Sequence, residues 1–298
     1  MGRTIGIITG ERIATGLVEG EKLVGALRMH EEDAGAAEPL HSTPPAGIAK
    51  LFAEEIQTVA AGQTVDAIGV GLPGIINCGF IEESPNLRQL KGANMQELVA
   101  QALREHGISA PVYVYNDADV LAAGLAATHG YLDRFIRVWT LGYGIGFGVY
   151  PRREGVWEGG HVVVSLDPRE RYCGCGGLGH LEGIMGHRAM RLRFLDMEPD
   201  EVFENARKND QRCVEFVKLW HRALAAATAN SIHLAGPGKF FISGFNAKHL
   251  DLNLLHQYLH EMVKMSPLQS YVFEVVPNRD ENGVIGAAVS ASQNIAAA

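Results

Sequence analysis

The chain has 298 residues, 47% hydrophobic and 20% charged, with a mean hydropathy of +0.01, the profile of a globular protein long enough for two domains. Against 34 acidic residues stand 26 basic ones, a net charge of -8, with no basic run or aromatic-basic stripe, which argues against nucleic acid as a partner class. No apolar segment approaches the roughly 20 residues that span a bilayer, so no membrane partner is expected, and MGRTIGIITG lacks the apolar core of a signal peptide.

In chain order, TIGIITG, RIATGLV and EKLVGALRM are three short apolar runs separated by turn-sized gaps, the pattern of a β-meander. GIAKLFAEEIQTVAAG follows with helical apolar spacing at Ile48, Leu51, Phe52 and Ile56. VDAIGVGLPG reads as a buried strand ending in a glycine-proline loop. Asn94 and Glu97 form a capping pair for the helix MQELVAQALREHG. VYVYND is another strand and feeds the alanine-rich helix ADVLAAGLAATHG. A second, similar cycle begins at Phe135: FIRVWTLGYGIGFGVYP contains two strands around glycines, and a cysteine-bearing stretch comes next. Helices then run through Ala235, followed by the strand KFFISGF, a helix near 247–265, the strand YVFEVVP and the closing helix GVIGAAVSASQNIA. Two α/β halves, each opening on strands that end in glycine turns, predict an internally duplicated two-domain fold with a cleft between the halves. The expected domains are 1–117 plus 284–298, and 118–283, with the hinge at the helix after Asp117.

The densest chemistry is YCGCGGLGHLE, residues 172–182. Cys173 and Cys175 can bind one ion, and His161 and His180 can complete a tetrahedron; two thiolates and two imidazoles suit a closed zinc site. The glycines at 174, 176, 177 and 179 let the loop wrap tightly. The alternative is a glycine-rich turn with two free thiols and two surface histidines, and spacing alone leaves both readings open. Cys78 and Cys213 stand alone, so the four cysteines read as reduced cytosolic thiols plus a metal site rather than a disulfide frame.

The stretches VGLPGIINCGFIEESPNLRQLKGANM, VYNDADVLAAGLAATHG, LGYGIGFGVY, WEGGHVVV and CGCGGLGHLE occur in the order seen in the ROK family of bacterial sugar kinases and sugar-responsive repressors. The chain resembles that family, glucokinases included, over nearly its whole length. The resemblance implies an actin-like ATPase (ribonuclease H-like) α/β fold, a cytoplasmic homodimer, a sugar bound between the lobes and a structural zinc. The family's zinc motif uses one histidine and three cysteines. Here His161, Cys173 and Cys175 match, and His180 occupies the third cysteine's place, an exchange that zinc chemistry allows. The second ring nitrogen of His161 would face a sugar hydroxyl.

For the sugar, the family pattern points to Asn86, Asn116, Asp117, Glu158, His161 and Glu182, with Asp117 as the general base on the attacking hydroxyl. Simpler roles compete: an N-cap for Asp117, a turn residue for Asn86, and a first-turn helix charge for Asp119. For the nucleotide the family's motifs are altered. Its first phosphate loop is Asp-x-Gly-Gly-Thr, whose aspartate helps hold Mg²⁺, whereas this chain reads IGIITGERIATG, with Ile8 at the aspartate and Glu11 and Arg12 at a glycine and the threonine. In GYGIGFG, Tyr143 replaces a threonine between Gly142 and Gly144, and in ISGFNAKH, Phe245 and Asn246 follow a single Gly244. Gly10, Arg12, Gly142, Tyr143, Gly144 and Gly244 are thus the altered nucleotide-binding positions. Tyr143 retains a hydroxyl, and Arg12 offers a guanidinium fork for phosphate.

The expected function is that of a ROK-type sugar kinase-like protein that binds a hexose or hexose derivative, with phosphoryl transfer from Mg·ATP impaired. The alternatives are a competent hexokinase or glucokinase and a non-catalytic sugar sensor. The chain starts at its first strand, so the DNA-binding domain of the repressor branch is not expected.

Overall fold

The computed structural model describes residues 2–9, 12–30, 39–153 and 155–297. The chain divides into two compact units, Met1–Phe135 with Gly148–Val156 and Arg279–Ala298, and Ile136–Phe147 with Trp157–Asn278.

The first unit opens with the expected meander: β1 (Arg3–Thr9), β2 (Ile13–Glu19) and β3 (Lys22–His30), paired antiparallel. It continues through α1 (Pro39–Ser42), α2 (Pro45–Ala60), β4 (Ala67–Leu72), β5 (Ile75–Asn77), β6 (Phe80–Glu83), α3 (Met95–Glu105), β7 (Val112–Asn116) and α4 (Asp117–Thr128). The sheet order is β3-β2-β1-β4-β7, with β4 parallel to both β1 and β7. Every residue of β4 is buried, as a central parallel strand covered on both faces requires. On one face Ile5, Ile7, Ile68 and Val70 pack with Phe52 and Ile56 of α2. The closing helix α10 (Asp280–Ala297) completes this unit. The hairpin β5–β6 was not evident in the sequence. Its turn uses Cys78 and Gly79, both at positive φ (48° and 81°), the geometry of a tight two-residue connection.

The second unit contains β8 (Ile136–Leu141), β9 (Ile145–Tyr150), α5 (Leu181–Met185), α6 (His187–Arg193), α7 (Pro199–Arg207), α8 (Gln211–Ala235), β10 (Lys239–Ser243), α9 (Leu252–Met262) and β11 (Val272–Val275). Strand β9 begins here, and its second half, from Gly148, belongs to the first unit. The sheet order is β11-β10-β8-β9, with β10 parallel to β8 and β11. Read as β9-β8-β10-β11, it repeats the neighbour pattern β2-β1-β4-β7, so the two halves share one plan. Trp139, Trp220, Phe240, Leu255 and Leu259 fill its core.

The unit boundary differs from the expected one. Helix α4 lies wholly in the first unit, and the break falls after Phe135 rather than at Asp117. The reason is packing between α4 and α10: a Cβ on Gly124 would stand 1.7 Å from the Asn282 carbonyl oxygen, and one on Gly286 1.7 Å from that of Val120. Backbones this close make α4 and α10 one block. The helix expected near 247–265 is α9, preceded by a 3₁₀ turn at Phe245–His249.

Candidate functional site

In the second unit, His161, Cys173, Cys175 and His180 each offer one ligand atom, and these atoms all lie within 4.8 Å of one another. His161 Nδ1 is 3.3 Å from His180 Nδ1 and 3.5 Å from Cys173 Sγ; Cys175 Sγ is 3.3 Å from Cys173 Sγ and 3.2 Å from His180 Nδ1. His161 ends a 3₁₀ turn at Gly159–His161, and His180 stands just before α5. The loop between the cysteines and His180 needs its glycines. A Cβ on Gly177 would strike the His180 ring at 2.1 Å, and Gly179, at φ 66°, lies where a Cβ would be 1.8 Å from the Ser165 carbonyl oxygen. The set could hold a metal ion. All four side chains converge, as a metal site would require.

Two carboxylates border this cluster. Glu158 Oε2 is 4.0 Å from His161 Nε2, the ring nitrogen turned away from the other ligand atoms. Burial holds the Glu158 carboxyl above the usual carboxylate range, opposed by His161 and reinforced by the charge of Glu182. Glu182 accepts a hydrogen bond from the Ile145 N–H at 3.0 Å and lies 3.7 Å from Cys173 Sγ. The structure therefore gathers Glu158 and Glu182 beside His161 and the other three candidate metal ligands.

Asn86, Asn116 and Asp117 lie in the first unit. Asn116 Nδ2 donates to the Gly74 carbonyl at 2.9 Å, and Ser84 Oγ donates to the Pro73 carbonyl at 2.7 Å, so the Pro73–Gly74 turn is tied to β7 and to the segment that carries the exposed Asn86. The N-cap of α4 is Asn116 rather than Asp117: its Oδ1 accepts from the Ala118 and Asp119 N–H groups. Asp117 is the first helical residue and accepts from the Ala118 N–H at 2.9 Å. Asp119 has a definite job, since its Oδ1 accepts from the Val149 N–H at 3.1 Å.

At the altered nucleotide positions, Gly10 and Glu11 lie outside the described residues. Ile8 sits on β1 and packs with Val120 and Ala287. Its side chain fills the space over Gly71 and Gly283, whose added Cβ atoms would meet it at 3.1 and 2.8 Å. Arg12 is engaged by Asp280 at the start of α10, Nε to Oδ2 2.9 Å and Nη2 to Oδ2 2.8 Å. In the second unit, Tyr143, between Gly142 and Gly144, is 58% exposed and meets His187 and Phe245 edge-on at centroid distances of 5.7 and 5.2 Å, with 5.3 Å between those two. The Gly142 carbonyl accepts from the His187 N–H at 3.0 Å and from Asn246 Nδ2 at 3.3 Å, joining three loops at one atom. Gly244 takes φ 98° just before Phe245. Sequence reasoning missed Asp280 and His187. Neither carries a local signal, since each is defined by a partner distant in the chain.

The family model described as "ROK family" matches residues 13–294. The chain belongs to the ROK family. Among relatives of this ROK chain, a glucokinase of Pyrobaculum calidifontis is 30% identical over 205 residues, covering 64% of this chain and 66% of that enzyme. An N-acetylmannosamine kinase of Haemophilus influenzae is 26% identical, covering 94% of this chain and 92% of its own. A ROK hexokinase structure from Thermus thermophilus superposes with a TM-score of 0.78 at 21% identity, covering 99% of this chain and 100% of that one. The fold is therefore the two-domain α/β, actin-like fold of ROK sugar kinases. Among the described residues, no helix is long and apolar enough to cross a membrane.

Proposed function

We propose that this chain is a sugar kinase-like ROK protein that binds a hexose or hexose derivative, with transfer from Mg·ATP impaired. The observation that carries this reading is the contrast between its two sets of residues. Glu158, His161 and Glu182 are gathered on one His/Cys cluster, whereas Ile8 is committed to apolar packing and Arg12 to Asp280. The relatives named glucokinase and N-acetylmannosamine kinase support a hexose as the ligand class. A homodimer and a cytoplasmic location belong to the same reading and rest on the family resemblance.

The metal in this reading is zinc. Zn–N distances of about 2.0–2.1 Å and Zn–S of about 2.3 Å give tetrahedral edges of roughly 3.3–3.8 Å. Four of the six edges among the four side chains run from 3.2 to 3.5 Å, near the short end of that range, and all six lie within 4.8 Å. His161 and the cysteines would hold the ion from the loop side, and His180 from the helix start. Zinc supplies fixed coordination geometry there and so orients the His161 ring. Glu158, His161 and Glu182 then present two carboxylates and an imidazole to sugar hydroxyls. In the first unit, Asn86, Asn116 and Asp117 are the assigned sugar residues. Asp117 is the base that accepts the proton of the attacking hydroxyl, held at the helix start where its orientation is fixed by the Ala118 N–H.

A competent kinase is the second reading, favoured by the guanidinium of Arg12 and by the kinase names of the relatives. Calorimetry with glucose, mannose and N-acetylmannosamine, with and without Mg·ATP, separates the readings. Sugar binding with little nucleotide binding is expected. No binding of any of these sugars would refute the proposal.

A further inference from the structure

Trp157 is one of three tryptophans in the chain. Trp139 and Trp220 are 1% and 0% exposed, whereas Trp157 is 38% exposed and is preceded by Val156, itself 58% exposed. Among the described residues its indole makes no ring contact and its Nε1–H no hydrogen bond, although its backbone carbonyl accepts from the Gly159 N–H at 3.0 Å. An indole is costly to leave in water and normally buries its ring while satisfying its N–H. This one leaves 38% of its surface in water and its N–H without a hydrogen-bond partner among the described residues, and it directly precedes Glu158, which leads the 3₁₀ turn to His161.

Resting on the proposed sugar-binding function, we infer that Trp157 is a stacking platform for the ligand and determines its specificity. A pyranose ring has an amphipathic shape, with hydroxyls around its rim and C–H groups across its faces. The rim needs carboxylate and imidazole partners, which Glu158, His161 and Glu182 offer in the same unit. The face needs a flat apolar surface, which pocket aromatics provide in ligand sites generally. The indole supplies that surface, and its unused N–H supplies one further donor to a hydroxyl or to an acyl substituent on the ring. The ligand class is therefore a hexopyranose with a continuous C–H face, rather than an open-chain polyol or a sugar acid, whose charge would meet two carboxylates.

The chain itself provides the probe, because its other two tryptophans are buried. Intrinsic fluorescence is titrated with glucose, N-acetylmannosamine and the open-chain control sorbitol, with acrylamide quenching at each point. The expected result is that a hexopyranose shields the indole from acrylamide while sorbitol does not. Trp157→Ala should weaken hexopyranose binding, measured by calorimetry, by about tenfold, and Trp157→Phe should recover part of it. Equal calorimetric affinity in Trp157→Ala and the native chain would overturn the stacking role and leave the sugar-binding reading standing. Absence of any sugar binding by the native chain would overturn both. An indole already shielded from acrylamide without sugar, with shielding that grows with protein concentration, would place it against a second copy of the chain and also overturn the inference.

Discussion

The thiol of Cys173 is pushed up to about 12 by burial, so without a metal it is held as S–H at neutral pH. An ion that ligates it must displace that proton, which couples metal uptake to pH. Zinc added to chelator-stripped protein at pH 7 should therefore release protons, readable with a weakly buffered indicator dye, and affinity should fall as the pH is lowered. Cys175→Ser removes a ligand 3.3 Å from Cys173 Sγ and 3.2 Å from His180 Nδ1. That variant should lose its zinc on dialysis, by elemental analysis, and melt at a lower temperature than the native chain. Unchanged zinc content would remove the cluster from the metal-site reading. Asp117 is tested differently. Asp117→Ala should abolish any transfer yet weaken sugar binding by only about 1–3 kcal/mol, because one or two hydrogen bonds are lost. A loss of sugar binding as complete as the loss of transfer, with the fold intact, would contradict the role of base.

At the level of elements, His221 joins two helices of the second unit. It is fully buried on α8; its Nδ1 lies 2.8 Å from the Val217 carbonyl oxygen, and its Nε2 accepts from the N–H of Asp251, the N-cap of α9, at 2.9 Å. Both ring nitrogens are thus used by one neutral tautomer, and burial holds the imidazole below its usual range. A histidine with a lowered folded-state pKa contributes stability that is fully present above the unfolded-state value of about 6.5, and loses it as the pH falls through the lower folded-state value. The slope from one such group is at most about 1.4 kcal/mol per pH unit. His221→Leu should be less stable than the native chain at about pH 8, yet its denaturant midpoint should change less between about pH 7.5 and 5.5 with zinc saturating. Parallel pH profiles for the two proteins would show that this contact is not titrating. The elements themselves were largely legible in the sequence, since periodicity and caps are local signals. The three-strand meander, helix α2 with Ile48, Phe52 and Ile56 buried, and the Asn94 cap on the Glu97 N–H all follow from residues a few positions apart. The Arg12–Asp280 pair joins residues 268 positions apart and leaves no local trace. The division into units after Phe135 leaves no local trace either, because it depends on Gly124 and Gly286 allowing α4 and α10 into backbone contact.

For the whole molecule, the decisive property is whether two independently altered nucleotide regions still support transfer. Phosphoryl transfer depends almost wholly on positioning and charge neutralisation. In the first unit, the place expected to hold an aspartate near Mg²⁺ holds Ile8, packed over Gly71 and Gly283, so a carboxylate there would have to displace apolar contacts. Arg12, the residue best suited to replace a metal's charge, is paired through Nε and Nη2 with Asp280, which offsets that charge. In the second unit, Tyr143, His187 and Phe245 form a ring trio at the Gly142–Gly144 turn. Losing an organising carboxylate removes at least a few kcal/mol of transition-state stabilisation, a factor of roughly a hundred or more in rate. Turnover in a coupled ADP-release assay is therefore expected far below the ~1–100 per second typical of kinases, across hexoses and acetylated hexosamines. Tyr143→Thr combined with Phe245→Gly should strengthen Mg·ATP binding without changing sugar affinity, because it opens the turn and leaves Glu158, His161 and Glu182 untouched. Turnover in the native chain within the ordinary kinase range, and its loss in Asp117→Ala, would show that Arg12 and the ring trio serve the nucleotide as they stand. The chain would then be a competent sugar kinase with a differently built donor site.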